Sequence, residues 1–320
     1  MISLFSLLLF IFPLFVSAQD GQKTVKITPL GSHTGEFCRY DRAMILEDPD
    51  GTRLLYDAGR TVAGPDDPRL GNIDIVLVSH MHGDHVGDKH IAKIGAGECN
   101  NPEMSVSSLP NTNTINIALK KNATIVTGSE MPKFFANKLK TLGGNAQQSK
   151  LVRFGGSFNI NNVKITTVPA VHSNGISGSM IGGHLGDILN ASGLTAYAGP
   201  PTGYVIQFSN GLNVYLSGDT GITAEQDLVI NKHYGVQLAV INIGDTFTTG
   251  PKEAAYVMNK LAKPKSVIAS HANEQATNKG LLIPGTRTAQ FIQAASMPVH
   301  LPLSDQTMHF NAQGTCVQGC

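Results

Sequence analysis

The stretch that most constrains this chain of 320 residues lies at residues 79–85 and reads SHMHGDH. Three histidines and an aspartate lie within six positions, directly after an apolar run at residues 73–79 that predicts a buried strand. Other apolar runs also end at side chains able to bind a metal, namely Asp57, His172, Asp219 and His271. Any one such ending is ordinary for a loop. Because ligand sites in α/β proteins form where strands end, their recurrence predicts one shared site at the edge of a sheet.

These positions supply enough ligands for two metal ions with nitrogen and oxygen donors. We expect one ion to be held by three histidines, a second by an aspartate and two histidines, and a further aspartate to lie between the two ions. In that order the residues are His80, His82 and His172, then Asp84, His85 and His271, and the bridging Asp219. Imidazole and carboxylate ligands suit zinc, our first expectation, and also manganese or iron.

Short apolar runs alternate with helical patterns along the chain, which predicts an α/β layer fold. The predicted strands are residues 25–28, 43–47, 52–56, 75–79, 124–127, 163–168, 204–208, 212–216, 238–243 and 266–269. The predicted helices are residues 132–142, 224–232, 251–261 and 286–295. Residues 95–114 and 173–202 lack clear periodicity, and we expect these long segments to form lids or substrate walls.

Residues 1–18 have the pattern of a secretory signal peptide. Residues 2–16 are almost wholly apolar, and small residues at Ser17 and Ala18 offer a cleavage site. An uncleaved membrane anchor is the alternative, although the run is shorter than the roughly 20 residues of a spanning helix and contains Pro13. We therefore expect a secreted or periplasmic protein with no stable membrane association after cleavage, and one domain over residues 19–320.

If the protein is exported, its cysteines at positions 38, 99, 316 and 320 can form disulfides, because an oxidising compartment permits them. Three pairings are open. A Cys316–Cys320 bond would close a small loop and leave Cys38 to pair with Cys99, whereas four free thiols are the alternative.

Composition narrows the class of partner. The formal net charge is +1, so the chain carries no electrostatic footprint for nucleic acid. Hydrophobic residues make up 41% and charged residues 15%, which favours a folded globular core. We expect a small molecule to be the substrate.

The motif HMHGDH resembles the H-x-H-x-D-H motif of the metallo-β-lactamase superfamily, and the later histidine, aspartate and histidine follow in the order of that family. The resemblance implies an αββα sandwich of two mixed β-sheets flanked by helices, and one hydrolase domain over residues 19–320 with a dinuclear site at one edge. Residues 215–221 (YLSGDTG) and 241–255 (INIGDTFTTGPKEAA) resemble the L-ascorbate-6-phosphate lactonase-like branch. Residues 30–42 (LGSHTGEFCRYDR) depart from that branch, because Ser32 separates Gly31 from His33.

The resemblance implies a hydrolase that uses a hydroxide bridging two metals, since a bound metal lowers the pKa of water from about 15.7 to about 7. The ion at His80 would polarise the substrate oxygen, and the ion at His85 would stabilise the leaving oxygen. Asp84 and Asp219 are the predicted catalytic residues, and Asp57 either supports the histidine loop or only caps a turn. The expected substrate is a lactone or related ester.

Three other functions stay open. One is a phosphodiesterase, which the lack of an arginine or lysine cluster beside the motifs disfavours. Another is a mononuclear iron sulfur dioxygenase, since such enzymes share the histidine cluster. A non-enzymatic metal-binding protein is the third, and the complete ligand set disfavours it.

Overall fold

The structure, a computed structural model, describes residues 23–320, and the predicted signal peptide lies outside this range. Two large sheets dominate it. The first has eight strands, in the spatial order Ser149–Leu151, Thr124–Thr127, Ile75–Leu77, Arg53–Tyr56, Met44–Glu47, Val25–Pro29, Met308–Phe310 and Cys316–Gln318. The second has seven, in the order Ser157–Ile160, Val163–Pro169, Thr202–Gln207, Asn213–Leu216, Leu238–Asn242, Ser266–Ser270 and Val299–His300. Both sheets contain parallel and antiparallel pairs.

Side-chain alternation along the strands produces four layers. Leu54 and Tyr56 point into the core shared by the two sheets, whereas Leu55 between them packs on the outer face of the first sheet. In the second sheet Val240 points inward and Ala239 outward. Helices Asn113–Lys121 and Met131–Thr141 cover the first sheet, and helices Pro251–Tyr256 and Arg287–Ala294 cover the second. The predicted αββα sandwich of mixed sheets is confirmed.

Strand direction brings the candidate ligands to one edge. Arg53–Tyr56 and Ile75–Leu77 are parallel neighbours in the first sheet, so Asp57 and the histidine cluster emerge at the same end. Asn213–Leu216, Leu238–Asn242 and Ser266–Ser270 are parallel in the second sheet, so Asp219 and His271 also emerge together. Segments that are distant in sequence therefore converge by topology.

The predicted strands are all present, with ends shifted by at most two residues, and the helices differ more. The predicted helix at residues 224–232 is a π-type helix, Gln226–His233, and residues 251–261 divide into the α-helix Pro251–Tyr256 and the π-type helix Val257–Ala262. Residues 173–202 are not irregular throughout. They contain the helices Gly178–Ile181 and Gly183–Ala191 and a hairpin of Gly175–Ser177 with Thr195–Tyr197.

Other short elements escaped prediction. Asn113–Lys121 overlaps the segment expected to be irregular, and its start is capped by the Thr112 hydroxyl, which accepts a hydrogen bond from the Ile115 amide. Between residues 23 and 320, every helix is too short or too polar to cross a bilayer.

The cysteines form two disulfides, Cys38–Cys99 and Cys316–Cys320. The first joins segments 61 residues apart. It ties the loop after the first strand to the segment at residues 95–114. Of the three pairings that the sequence left open, this is the one in which Cys316 and Cys320 close a small loop. The alternative of four free thiols is wrong.

Candidate metal centre

Three histidines form one half of the site. His80 is fully buried and His82 follows it in extended backbone before the short helix Gly83–Val86. The His172 ring lies with its centroid 5.1 Å from that of His80 and 5.0 Å from that of His82. Ligand atoms from all three lie within 4.8 Å of one another, so they can share one ion.

The other half combines Asp84, His85 and His271, whose ligand atoms also lie within 4.8 Å of one another. Asp84 Oδ2 is 3.4 Å from His271 Nε2 and 3.8 Å from His85 Nε2. Gly83 and Asp84 begin the short helix that turns these side chains away from His82. His271 itself adopts a left-handed backbone, with φ of 50°, directly after its strand.

Asp219 lies between the two halves. Its Oδ2 is 3.1 Å from His271 Nε2 and 3.3 Å from His85 Nε2 on one side. On the other side it is 3.7 Å from His172 Nε2 and 3.9 Å from His80 Nε2. One carboxylate oxygen therefore faces ring nitrogens of both sets. The structure brings together all seven residues that the sequence predicted as ligands.

One further observation indicates that these ligand atoms suit metal ions. Nε2 of His80, His85 and His271 are all buried, and among the described residues none makes a well-aligned hydrogen bond, although Nε2 of His85 and His271 lie 3.3 and 3.1 Å from Asp219 Oδ2. Buried polar nitrogens are normally hydrogen-bonded, and three orphaned nitrogens that converge on two carboxylates are the arrangement expected of metal ligands.

Asp57 fixes the orientation of this cluster from beneath. Its carboxylate accepts hydrogen bonds from the Ser79 amide at 2.8 Å, from the Ser79 hydroxyl at 2.7 Å and from His85 Nδ1 at 2.8 Å. Asp57 is 1% exposed and has a left-handed backbone, with φ of 42°. Because Nδ1 of His85 donates in this contact, Nε2 is the ring nitrogen that faces Asp219. These contacts match the first of the two roles predicted for Asp57, which is to support the histidine loop, and they exceed those of a turn cap.

The protonation states of this cluster favour the binding of cations. Burial and the neighbouring His85 hold the pKa of His80 well below its usual value, so this imidazole is neutral. Burial disfavours ionisation of Asp219 and Asp84, but the histidines, with Arg42 beside Asp84, hold both carboxyl pKa values well below the usual range. Burial also opposes a charge on His85, yet the surrounding carboxylates raise its pKa to about 10 in the metal-free protein. A metal must therefore displace a proton from His85.

Sequence reasoning missed Arg42 and Asn273. The Arg42 guanidinium is 4% exposed and lies 2.8 Å from Asp84 Oδ2. The same nitrogen donates to Asn273 Oδ1 at 2.8 Å, and the Asn273 amide donates to the Gly244 carbonyl. Arg42 therefore holds Asp84 in position and neutralises its charge. The pair of arginines in the sequence CRYDR was visible, but its link to the histidine motif depends on the fold.

A cavity of about 460 Å³ opens over the ligands, a size typical of small-molecule sites. Beyond the ligands it is lined by Arg39, Tyr40, Arg42, Arg60, Ser173, Phe247 and Asn273. No arginine or lysine cluster lies beside the motifs in the sequence, but tertiary folding brings three arginines to this cavity, which weakens that argument against a phosphodiesterase. Part of the expected walls is present. Residues 95–114 do not line this cavity. Residues 173–202 contribute Ser173 to it, and through Gly175, Ser177, Met180 and Thr195 they also line a second cavity of about 390 Å³ that reaches His82 and Asp84.

Comparison with known proteins agrees with this geometry. The family model described as "Beta-lactamase superfamily domain" matches residues 52–272. A UPF0173 metal-dependent hydrolase of Methanosarcina barkeri is 31% identical over 247 residues, which cover 77% of this chain and 83% of the relative. Another, of Pelotomaculum thermopropionicum, is 32% identical over 200 residues, which cover 62% of this chain and 67% of the relative.

A solved structure supports the fold independently. Igni18, described as a novel metallo hydrolase from the archaeon Ignicoccus hospitalis, superposes with a TM-score of 0.57 at 20% identity. The superposition covers 90% of this chain and 99% of Igni18. At this identity the similarity concerns the fold alone.

Proposed function

We infer the function of this chain from its family: it belongs to the beta-lactamase superfamily and to the UPF0173 metal-dependent hydrolase family. We propose that it is a hydrolase with two divalent metal ions, zinc in the first instance, and that it acts on a small lactone or related ester.

The observation that carries this proposal is the position of Asp219. Its Oδ2 lies 3.1–3.9 Å from Nε2 of four histidines that belong to two separate ligand sets. A single-ion site needs no carboxylate between two sets, whereas a two-ion site does. This favours a dinuclear hydrolase over a mononuclear dioxygenase.

The residues of the chain have separable tasks in this proposal. His80, His82 and His172 would hold one ion, Asp84, His85 and His271 would hold the other, and the Asp219 carboxylate faces both sets. Bound metal ions supply Lewis acidity and lower the pKa of water, which is the chemistry that ester hydrolysis needs near neutral pH. Asp57 keeps a proton on His85 Nδ1, and Arg42 keeps the Asp84 carboxylate in place. Phe247, which is 71% exposed, gives the cavity an apolar wall for the organic part of a substrate.

A lactone or ester is supported by residues 241–255, the segment that resembles the lactonase-like branch. This segment buttresses the site, because a Cβ on Gly244 would overlap the His271 carbonyl. A phosphodiesterase is the second candidate, and the three cavity arginines favour it, since guanidinium groups bind phosphoryl oxygens.

The test is an activity screen of purified, metal-loaded protein against a panel of lactones and a panel of phosphodiesters. We expect turnover of lactones and about two metal ions per chain by mass spectrometry of native protein. His82→Ala and Asp219→Ala should abolish turnover with the fold retained, and His233→Ala, an exposed histidine outside the site, should leave turnover unchanged. Full activity in Asp219→Ala, or one ion at saturation, would refute the two-ion proposal.

We also propose that the protein is exported and cleaved after Ala18, which leaves one hydrolase domain over residues 19–320. The apolar run at residues 2–16 supports this. Intact mass of the protein recovered from its native compartment should lack residues 1–18, and their presence would overturn the assignment.

A further inference from the structure

We propose that Arg39 determines the substrate specificity of this cavity by binding a carboxylate on the substrate, at a distance from the bond that is hydrolysed. The inference rests on the proposed function, because it names the class of lactone or ester that the same site takes.

Charge pairing singles out Arg39 among the cavity arginines. Arg42 is neutralised by Asp84 at 2.8 Å. Arg60 is held by both carboxylate oxygens of Asp88, at 2.7 and 2.8 Å. Arg39 is exposed and lines the cavity, and within residues 23–320 no carboxylate lies within 4.0 Å of its guanidinium. One unpaired guanidinium matches one carboxylate, which it can bind through two parallel hydrogen bonds.

The loop at residues 38–42, which we call the arginine loop, is held rigidly. Cys38 is fully buried and bonded to Cys99, and the Arg39 amide donates to the Cys99 carbonyl at 3.2 Å. Beneath the loop, the buried Asp41 carboxylate accepts hydrogen bonds from the amides of Ser32 at 2.9 Å and Cys38 at 2.7 Å. A rigid loop presents Arg39 with less ordering entropy to be lost on binding.

The aromatic ring of Tyr40 links Arg39 to the metal ligands. The Arg39 guanidinium carbon lies 5.3 Å from the ring centroid, and the Arg42 guanidinium carbon lies 5.9 Å from the same centroid. Arg42 contacts Asp84 directly, so Arg39 lies one aromatic ring and one arginine away from a ligand. This spacing suits a carboxylate separated by several atoms from the scissile ester.

The apolar wall at Phe247 lies on the same cavity, so the remainder of the substrate is organic and compact. A phosphate monoester would bring two negative charges to one free guanidinium, because the other two cavity arginines are already paired. A carboxylate therefore fits the free charge better than a phosphate does.

The experiment uses three lactones that share one ring. They are γ-nonalactone, whose five-carbon side chain ends in a methyl group, the γ-lactone of 4-hydroxynonanedioate, whose side chain of the same length ends in a carboxylate, and the phosphate ester of γ-(4-hydroxybutyl)-γ-butyrolactone. Zinc-loaded wild type, Arg39→Gln and Arg39→Lys are compared, with Arg153→Gln as the control. Arg153 is a 64% exposed arginine outside the cavity that pairs with Glu130.

We expect the carboxylate lactone to have the lowest KM with wild type. Arg39→Gln should raise that KM roughly tenfold, as loss of one charged hydrogen-bonded pair predicts, and leave kcat unchanged. It should leave both kinetic constants for γ-nonalactone unchanged, Arg39→Lys should recover part of the KM, and Arg153→Gln should behave as wild type. Equal changes for the methyl and carboxylate lactones would overturn the proposal, and a preference for the phosphate lactone lost in Arg39→Gln would overturn the choice of carboxylate.

A binding measurement separates failure of this inference from failure of the proposed function. Cyclopentanecarboxylate has the carboxylate but no ester bond, and its amide is the neutral counterpart. Calorimetric titration into metal-free protein should show binding of the carboxylate to wild type and a loss in Arg39→Gln, with no binding of the amide. Arg39-dependent binding of the carboxylate together with no lactone turnover would refute only the proposed lactonase activity. Equal binding of the carboxylate to both proteins, or no binding to wild type, would overturn the role of Arg39.

Discussion

Replacing Asp57 with asparagine should weaken zinc binding by roughly 10- to 100-fold, or about 1.4–2.8 kcal/mol. Asp57 offers one oxygen to the Ser79 amide and the other to the Ser79 hydroxyl and His85 Nδ1. Asparagine keeps only one oxygen. Its amide NH₂ would face the Nδ1–H of His85, so two donors would meet. His85 would then lose its support or move its proton to Nε2, the nitrogen that faces Asp219.

The assay is competition between the protein and a chromogenic chelator for zinc at neutral pH, with thermal unfolding of the metal-free protein measured in parallel. Asp48→Asn is the matched control. Asp48 is 2% exposed and accepts hydrogen bonds from the Ser209 amide at 2.7 Å and the Ser209 hydroxyl at 2.6 Å. Both variants should lose about 1–3 kcal/mol of stability from impaired buried hydrogen bonds. Only Asp57→Asn should lose zinc affinity, and equal zinc affinity in the two variants would refute the reasoning.

Two further predictions concern stability. In the metal-free protein, carboxylates overcome burial and raise the pKa of His85 to about 10, so its contribution to stability is full below its unfolded pKa of about 6.5 and is lost as pH rises through 10. The fall in Tm between those pH values should therefore be steeper for wild type than for His85→Gln, and parallel profiles by circular dichroism would contradict the assignment. Cys99→Ala removes a cross-link over 61 residues and should lower the free energy of unfolding by about 4 kcal/mol in the chain-entropy view. Urea unfolding measures this, and an unchanged midpoint would show that the bond does not constrain the unfolded chain.

The ligand set was open to prediction because each member follows a strand. His80, His172, Asp219 and His271 come after apolar runs whose β character is visible locally, and strand ends gather at sheet edges. The alternation of apolar runs and helical patterns gave the α/β class, because a sequence carries periodicity residue by residue. The two packed sheets were implied by the resemblance to the metallo-β-lactamase superfamily.

The arginine loop was not open to prediction in the same way. Arg39 and Arg42 reach the cavity because Cys99 and Asp41 hold the backbone between them, and those contacts are long-range or buried. No local pattern connects residues 39–42 to the histidine motif. The helix Gly183–Ala191 was missed for a related reason, since its glycines and exposed apolar side chains hide a helical period.

The ligands come from separate strand ends that span both sheets, and this has a consequence for how the chain folds. Before the sandwich assembles, only residues 80–85 can gather around a cation, because His172, Asp219 and His271 are still remote in the chain. Binding energy is therefore released mainly when both sheets have docked, so it adds to global stability by an amount that rises with the logarithm of the free metal concentration above the Kd. The supply of metal would therefore control how much of the protein is folded. A chelator in the growth medium would raise the unfolded fraction that proteases can cleave, with no change in the sequence or synthesis of the chain.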